Sequence, residues 1–422
     1  MHHVQKIVVA VCLMSCLGVT VEAADWAQFR GPQGNGVATG ESFPTSWGSE
    51  KNIKWKVSLP AAANGSPIVS GGRVFLTCAA DEGKERSLYC FDRTDGKKLW
   101  VKTVDFGKAM PTHPQNPHGS STPAADGKRV VVWHGSAGLH CYDFAGKQLW
   151  SRDLGEFKHQ WGYGSSPVIY KDQIILHCGP GKRVFLTAID LAGGKTVWET
   201  DEPQDGDGEK RADGGDMGSW STPVIAQVDG KDQIVCAMST RVNGYDPQTG
   251  ELIWSCDGLS GSRYDVVSSS PLVADGFCVA TAGFRGPSIG LKMGGKGNIT
   301  KSNRRWLETR NPESIGSGVF LGKYIYRPNA KPGTLECLAA ETGESQWSDR
   351  AAGRDHWGSM VLAGGNLYAI NQRGTTVVFK PNPKEFEEVG SNDLGESTNA
   401  TPAFSDGQIF IRTDEHLFCI GK

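Results

Sequence analysis

The 422-residue sequence carries no surplus of charge: 44 Lys and Arg stand against 46 Asp and Glu, a formal net charge of −2. A nucleic-acid-binding chain carries a basic footprint, so that class is excluded at the level of bulk charge. No Cys-x-x-Cys occurs, which removes paired-cysteine zinc sites and dithiol redox motifs. His-Glu-x-x-His is missing too, and with it the helical zinc-peptidase site. Beyond residue 24 no apolar run approaches the roughly 18 residues of a membrane-spanning helix. Apolar spacing at three and four is absent, so amphipathic helices are not the scaffold. Glycine is abundant instead. Its 55 residues are nearly twice the usual share of about 7% and signal many tight turns.

The N-terminus is laid out as a secretory leader. Residues 1–6 carry one clear positive charge, 7–17 are apolar apart from Ser15, and Val21-Glu22-Ala23 and Glu22-Ala23-Ala24 offer small-residue cleavage sites before Asp25. The apolar stretch is too short to span a bilayer. The expectation is a signal peptide over 1–24 and an exported chain, periplasmic or attached to the envelope. Within the same stretch, Leu13-Met14-Ser15-Cys16 offers an alternative: a lipoprotein box with Cys16 lipidated. Cys12 and Cys16 leave with the leader, so nine cysteines remain, in a chain large enough to fold without disulfide staples. Cys78 and Cys90, on the two sides of a hairpin, are the one pair expected near disulfide geometry.

A unit then recurs: Ser/Thr-Pro, a strand, a Gly-containing turn, a second strand, a hairpin, a third strand ending near Asp, and Gly-x-x-x-Trp. The first copy runs through Ser66-Pro67-Ile68-Val69, Arg73-Val74-Phe75-Leu76, Leu88-Tyr89-Cys90-Phe91-Asp92 and Gly96-Lys97-Lys98-Leu99-Trp100. Later openings end at Pro123, Pro167, Pro223, Pro271 and Pro402, and Ser317-Gly318 and Ser359-Met360 take the same place in two degenerate copies. Successive openings lie 42 to 56 residues apart. Four short strands per repeat of this length predict a β-propeller, because one small sheet cannot bury both faces and must stack against its neighbours. The last copy stops after three strands, whereas residues 52–57, Asn52-Ile53-Lys54-Trp55-Lys56-Val57, form a spare strand. Joining the two predicts an all-β, eight-bladed propeller of four-stranded antiparallel blades over 52–422, sealed by its N-terminal strand and preceded by a lead-in over 25–51. Such closure leaves no sheet edge open and suits a monomer.

The tails of the repeats resemble the D-x-x-T-G-x-x-x-W docking motif of quinoprotein-like (PQQ-repeat) eight-bladed propellers. They are best preserved in Tyr245-Asp246-Pro247-Gln248-Thr249-Gly250-Glu251-Leu252-Ile253-Trp254 and in Asp190 to Trp198. No Trp-Asp dipeptide occurs, which sets aside WD40 repeats. The resemblance implies that Trp55, Trp100, Trp150, Trp198, Trp254, Trp306 and Trp347 are structural, each stacked between blades. Asp25-Trp26-Ala27-Gln28-Phe29-Arg30-Gly31-Pro32 resembles a lead-in of exported bacterial members, expected to pack across a blade face or the ring.

The long segments of the chain, 101–119, 151–164, 199–218, 255–267, 282–305, 307–316 and 348–358, fall before first strands or between second and third strands. In such a ring these loops meet at one mouth of the central channel, where function concentrates. Candidate binding residues there are Asn64, His118, Trp161, Tyr163, Trp220, Arg263, Asp265, Arg285, Arg354, Asp355, His356, Trp357 and Asn399. Mixed aromatic and charged groups suit a polar ligand, a peptide or a protein loop. Two near-matches are rejected. Gly290 to Lys296 fits a phosphate-binding loop but is followed by Gly297 instead of Ser/Thr. The acidic run 205–209 resembles a calcium loop with Lys210 where glycine is needed.

Two functions follow from the resemblance. One is a non-catalytic binding or assembly propeller of the bacterial cell envelope, similar to the propeller subunit of the outer-membrane barrel-assembly machinery, without cofactor or metal, and holding an envelope protein or a small polar ligand. The other is a pyrroloquinoline-quinone dehydrogenase with Ca²⁺, oxidising an alcohol or sugar. The adjacent Cys-Cys disulfide typical of those enzymes is absent from the sequence, and no Glu/Asn/Asp calcium set can be matched. The binding reading is preferred.

Overall fold

The structure, a computed structural model, describes residues 25–40, 42–202, 210–350 and 355–421. Residues 1–24, where a leader and the Cys16 alternative are expected, the acidic run 205–209 and Arg354 lie outside the described residues. Eight four-stranded antiparallel arrays are formed, which we number as blades 1 to 8 in chain order over 68–105, 124–152, 168–201, 224–257, 272–308, 319–349, 361–393 and 403–420. Strand Ile53–Ser58 completes blade 8 against His416–Ile420, with Trp55 opposite Cys419, Lys56 opposite Phe418 and Val57 opposite Leu417. The ring therefore closes as the sequence predicts.

The middle strands bury both faces because each blade is sandwiched by two others. In blade 1, Val74, Phe75 and Leu76 are consecutive and all fully buried, the pattern of a strand with no solvent side. The core is accordingly a set of interfaces. Phe75, Leu88 and Cys90 of blade 1 meet Val130, Val132 and Tyr142 of blade 2, and Leu139 and Cys141 of blade 2 meet Ile174, Leu176 and Phe185 of blade 3.

The outer tryptophans lock each blade to the next. The indole N–H of Trp55 donates to Arg93 O in the blade 1 turn (2.9 Å), and those of Trp100, Trp150, Trp198, Trp306 and Trp347 donate to Phe144, Leu191, Pro247, Ala340 and Asn382 O at 2.8–3.1 Å. The turn glycine of the following blade lies against the ring at positive φ, as Gly96 does on Trp55 (+72°) and Gly250 on Trp198 (+73°). Directly across the strand from each tryptophan sits a small residue: Cys90, Cys141, Ala188, Gly244, Gly290, Cys337 or Cys419. A Cβ on Gly244 would lie 2.1 Å from Trp254, so these places demand little volume.

Two junctions depart from the rule. Trp254 is fully buried and donates to Gln233 Oε1 within its own blade (2.7 Å). Blade 5 replaces the docking turn with an excursion in which 297–298 pair in parallel with Trp254 and Ser255. That excursion lies beyond strand Ser288–Lys292, so only the first part of the 282–305 segment reaches the mouth. Blade 7 has Gly390 where the others have tryptophan. The lead-in fills the gap: Thr45 lies over Gly390, and Trp47 stacks on Tyr368 with ring centroids 6.4 Å apart.

All nine described cysteines are free and buried. The expected proximity of Cys78 and Cys90 does not arise, because the hairpin register sets Cys78 opposite Ser87 and Cys90 opposite Phe75. Disulfide bonding needs Cα atoms within about 7 Å and convergent side chains.

Candidate functional site

The Ser/Thr of each repeat opening builds the throat of the channel. The backbone N–H of Ser66 donates to Thr122 Oγ1 (2.9 Å), that of Thr122 to Ser166 Oγ (3.0 Å), and that of Ser166 to Thr222 Oγ1 (3.1 Å). A second run of the same bonds starts at Ser270 N and passes through Ser317, Ser359 and Thr401, the last returning to Ser66 Oγ at 3.0 Å. Seven of the eight hydroxyls, all but that of Ser270, thus satisfy a backbone donor of the neighbouring blade, where an unmade bond would be costly. The proline that follows the Ser or Thr in six of the eight copies has no N–H to place.

Above this throat opens a cavity of about 350 Å³. Two residues before each throat hydroxyl, the eight repeats contribute Asn64, Ser120, Gly164, Trp220, Ser268, Ile315, Trp357 and Asn399, and every one of them lines the cavity. Phe29 of the lead-in also lines it. The lead-in runs under the cavity: Trp26 pairs with Val69 of blade 1, Ala27 O accepts from Ala125 N of blade 2, Gln28 Oε1 accepts from Ile169 N of blade 3, and Arg30 bonds Gly318 O beside blade 6. Arg30 is fully buried, and that burial lowers its guanidinium to about 9.

The wall is two-sided. Before blades 8, 1 and 2 it is built of amides. Asn116 Oδ1 accepts from Asn64 Nδ2 (3.2 Å) and Ser120 Oγ (2.6 Å), and its Nδ2 donates to Trp161 O (2.6 Å) and Tyr163 O (3.1 Å). Asn64 and Asn399 both donate to Gln115 O, at 2.8 and 3.2 Å. Around blades 3 to 5 the wall is aromatic. Trp161 stacks on Phe284 (5.0 Å, 27°), lies 5.8 Å from Trp220 and meets Tyr264 edge-on at 6.1 Å. Trp220 is fixed by its indole N–H to Gly162 O (2.9 Å), and Gly164 leaves room for it. Phe284 and Arg285 occupy the centre of a hairpin turn in which Gly286 N donates to Gly283 O, and both have left-handed φ, +50° and +62°. Asn-Gly is the usual solution there. Two bulky residues at positive φ, one of them an exposed Phe, are backbone strain at the mouth of a cavity.

Of the residues expected at the mouth, Asn64, Trp161, Trp220, Trp357 and Asn399 converge on the cavity. The other described ones lie off its lining. His118 is buried with its ring on Gly83, its carbonyl accepts from Tyr163 Oη (2.6 Å), and burial with Arg86 nearby lowers its imidazole below the usual range. Asp265 is buried and accepts from Arg211 (3.1 Å) and Gly261 N (3.0 Å), bracing a two-stranded parallel ribbon, Met217–Ser219 with Asp265–Val267. Burial raises its carboxyl, and Arg211 opposes that rise. His356 is buried with Nδ1 donating to Ile370 O (3.1 Å), and Asp355 contributes its carbonyl to Gln372 N. Arg285 is exposed at the hairpin tip. Arg263 lies over Tyr264 at 4.9 Å. Gln115, Asn116, Phe284, Glu313 and Lys331 line the cavity without having been expected.

One serine motif carries no chemistry here. Gly286-Pro287-Ser288-Ile289-Gly290 fits the G-x-S-x-G pattern, but Ser288 is fully buried in a strand and bonded to Thr281 Oγ1 (2.7 Å). A nucleophile elbow needs an exposed serine on a strand-to-helix turn.

The fold defines a quinoprotein-like eight-bladed propeller. The chain belongs to the family described as outer membrane protein assembly factor BamB, whose model matches residues 37–110 and 84–349. No curated protein matches it by sequence. Among solved structures it is similar to BamB from Moraxella catarrhalis (13% identity, TM-score 0.59, 87% of this chain and 96% of that one). It is similar also to the quinohemoprotein alcohol dehydrogenases of Comamonas testosteroni (14%, 0.65, 94% and 81%) and Pseudomonas putida HK5 (12%, 0.63, 94% and 80%). At these identities the likeness is one of fold.

The dehydrogenase cofactor fits this donor set poorly. A tricarboxylate quinone needs several cations, and Lys331 is the one Lys or Arg among the described lining residues, with Glu313 the one carboxylate. Among the described residues, the grouping of candidate metal ligands, Glu396, Glu415 and His416, lies outside the cavity lining, and Lys56 already pairs with Glu396 at 2.8 Å.

Proposed function

We propose that the chain is an exported, non-catalytic propeller of the bacterial cell envelope, a binding or assembly scaffold that holds its partner at the funnel mouth. One observation carries this reading. All eight repeats contribute to a single open cavity, yet among the described residues no serine or threonine of that cavity is bonded to a histidine or carboxylate. A serine or threonine acts as a nucleophile through a base bonded to it; His113, the histidine of the described lining, accepts from Gln115 N instead (3.2 Å), and a lone carboxylate lacks the partner that acid–base pairs use. The family's description as an assembly factor supports the envelope setting, and the leader-like residues before Asp25 support export.

The test is capture from an envelope extract with the purified protein as bait, beside a Trp357→Ala/Asn399→Ala variant of unchanged melting temperature. A component retained by the wild type and lost with the variant is the expected result. Equal capture by both overturns the reading. Quinone added with Ca²⁺ should leave the melting temperature unmoved; stabilisation by several kcal/mol would favour the dehydrogenase.

A further inference from the structure

Resting on the reading of the mouth as a binding site, we infer that its ligand is a neutral saccharide, a mono- or disaccharide or the end of a longer glycan. The argument begins with charge. Glu313 and Lys331 cancel, so the described lining carries no net formal charge from its Lys, Arg, Asp and Glu residues. An anionic or cationic ligand would meet one group of opposite sign and one of its own, Lys331 and Glu313, so a charge taken out of water there gains little net compensation.

The two walls fit opposite aspects of one molecule. Trp220 enters from blade 4 and Asn399 from blade 8, half a turn of the ring apart. An aromatic face carries negative π density, which attracts the polarised C–H groups on the flat side of a sugar ring. Amides and hydroxyls each donate and accept, as sugar hydroxyls do. Asn64 and Ser120 spend their donors on Gln115, Asn116 and Pro117, and Asn399 donates to Gln115 and accepts from Gln372, so what these side chains still offer the cavity is mainly acceptor capacity, which the hydroxyls of a sugar can meet as donors. An aliphatic or purely aromatic ligand meets only half of this wall.

The aromatic wall is also built before the ligand arrives. Trp161 is held from both sides of its backbone, its N–H donating to His159 Nδ1 (3.1 Å) and its carbonyl accepting from Asn116. Phe284 is pressed onto it by a strained turn. A fixed platform loses little entropy on binding. The cavity of about 350 Å³ stands at the small end of ligand pockets, about 300–1,000 Å³, a size for one or two rings and not for a folded loop.

The experiment screens the purified protein on an array of neutral and charged glycans. Hits are then titrated by calorimetry, with maltose, cellobiose and N,N′-diacetylchitobiose as free probes. At least one neutral glycan should bind saturably. Its affinity should fall at least tenfold in Trp357→Ala and in Asn399→Ala, recover in Trp357→Phe, and stay constant between about 0.05 and 0.5 M salt, since screening acts only on ions. Binding confined to charged glycans, with a steep salt dependence, overturns the inference. So does a blank array when an envelope protein, or a member of a random heptapeptide library, is captured and lost with Trp357→Ala; the mouth would then remain a binding site, but for polypeptide. A blank array with no mouth-dependent capture overturns both readings.

Discussion

The lock between blades predicts a paired result at two glycines of blade 4. Gly250 and Gly230 have nearly the same left-handed backbone, φ +73° and +76°, but different surroundings. A Cβ on Gly250 would lie 2.4 Å from Trp198 Cε3 and 2.7 Å from Thr200 Oγ1, whereas one on Gly230 would meet nothing within 4 Å. Alanine at either site costs about 1–2 kcal/mol for the left-handed conformation. At Gly250 the overlap with a well-packed indole adds about 1–3 kcal/mol. Gly250→Ala is therefore expected to destabilise by about 2–5 kcal/mol in all, and Gly230→Ala by the smaller conformational cost alone. Urea unfolding followed by tryptophan fluorescence and far-ultraviolet dichroism measures both, at a common slope if the denatured ensemble is unchanged. Adding Trp198→Ala closes a cycle. With the ring gone, Gly250→Ala should lose the part of its cost that comes from the indole and keep the conformational cost and the contact with Thr200 Oγ1, a non-additivity of about 1–3 kcal/mol. Equal costs for the two single variants, or strict additivity in the cycle, would refute the idea that this turn docks on the tryptophan.

Removing 25–58 takes away both the closing strand and the segment under the cavity; calorimetry should show the loss of the whole cooperative transition, not of one blade, because each blade is buried by its neighbours. Thr122→Val keeps shape but leaves the Ser66 N–H without its acceptor, for an expected cost of about 1–3 kcal/mol in the same urea assay. His159, His177 and His356 are lowered to about 4, chiefly by burial. The unfolded chain therefore binds protons near pH 6.5 that the folded one refuses, and stability is full above pH 6.5 and declines toward pH 4. His356→Gln should flatten the decline in a series of melting curves.

Repetition made the fold legible. Eight openings, seven tryptophans and a missing last strand matched by a spare first one left a single closed arrangement. The exceptions were not legible in the same way. Trp254 shares its motif with the others, yet its bond is decided by the next blade, which lacks the docking turn. Cys78 and Cys90 stand on one hairpin, but the register of its loop, and not their spacing, sets their partners. At the mouth, candidates chosen for chemical type scattered: His118, Asp265 and His356 point into the frame, because a loop residue with a polar side chain is as often a brace as a ligand contact.

A positional rule would have served better than chemical type. Seven of the eight throat hydroxyls accept an N–H from a neighbouring blade and the eighth residue, Ser270, donates its own N–H to one, so the residue two places earlier is set on the cavity wall in every repeat. Read at that place, the sequence gives Asn, Ser, Gly, Trp, Ser, Ile, Trp and Asn, and the structure sets all eight around the cavity. Symmetric packing needs the hydroxyl to stay Ser or Thr, and it does so in every copy. Packing puts no such demand on the wall position, which ranges from glycine to tryptophan. The scaffold thus holds eight places in constant geometry while their chemistry varies freely, and an asymmetric cavity arises on a symmetric ring without any change to the interfaces that stabilise it. Exchanging Trp357 or Asn399 should consequently alter what the mouth holds at little cost in stability. Exchanging Ser359 or Thr401, two residues further on, should do the reverse.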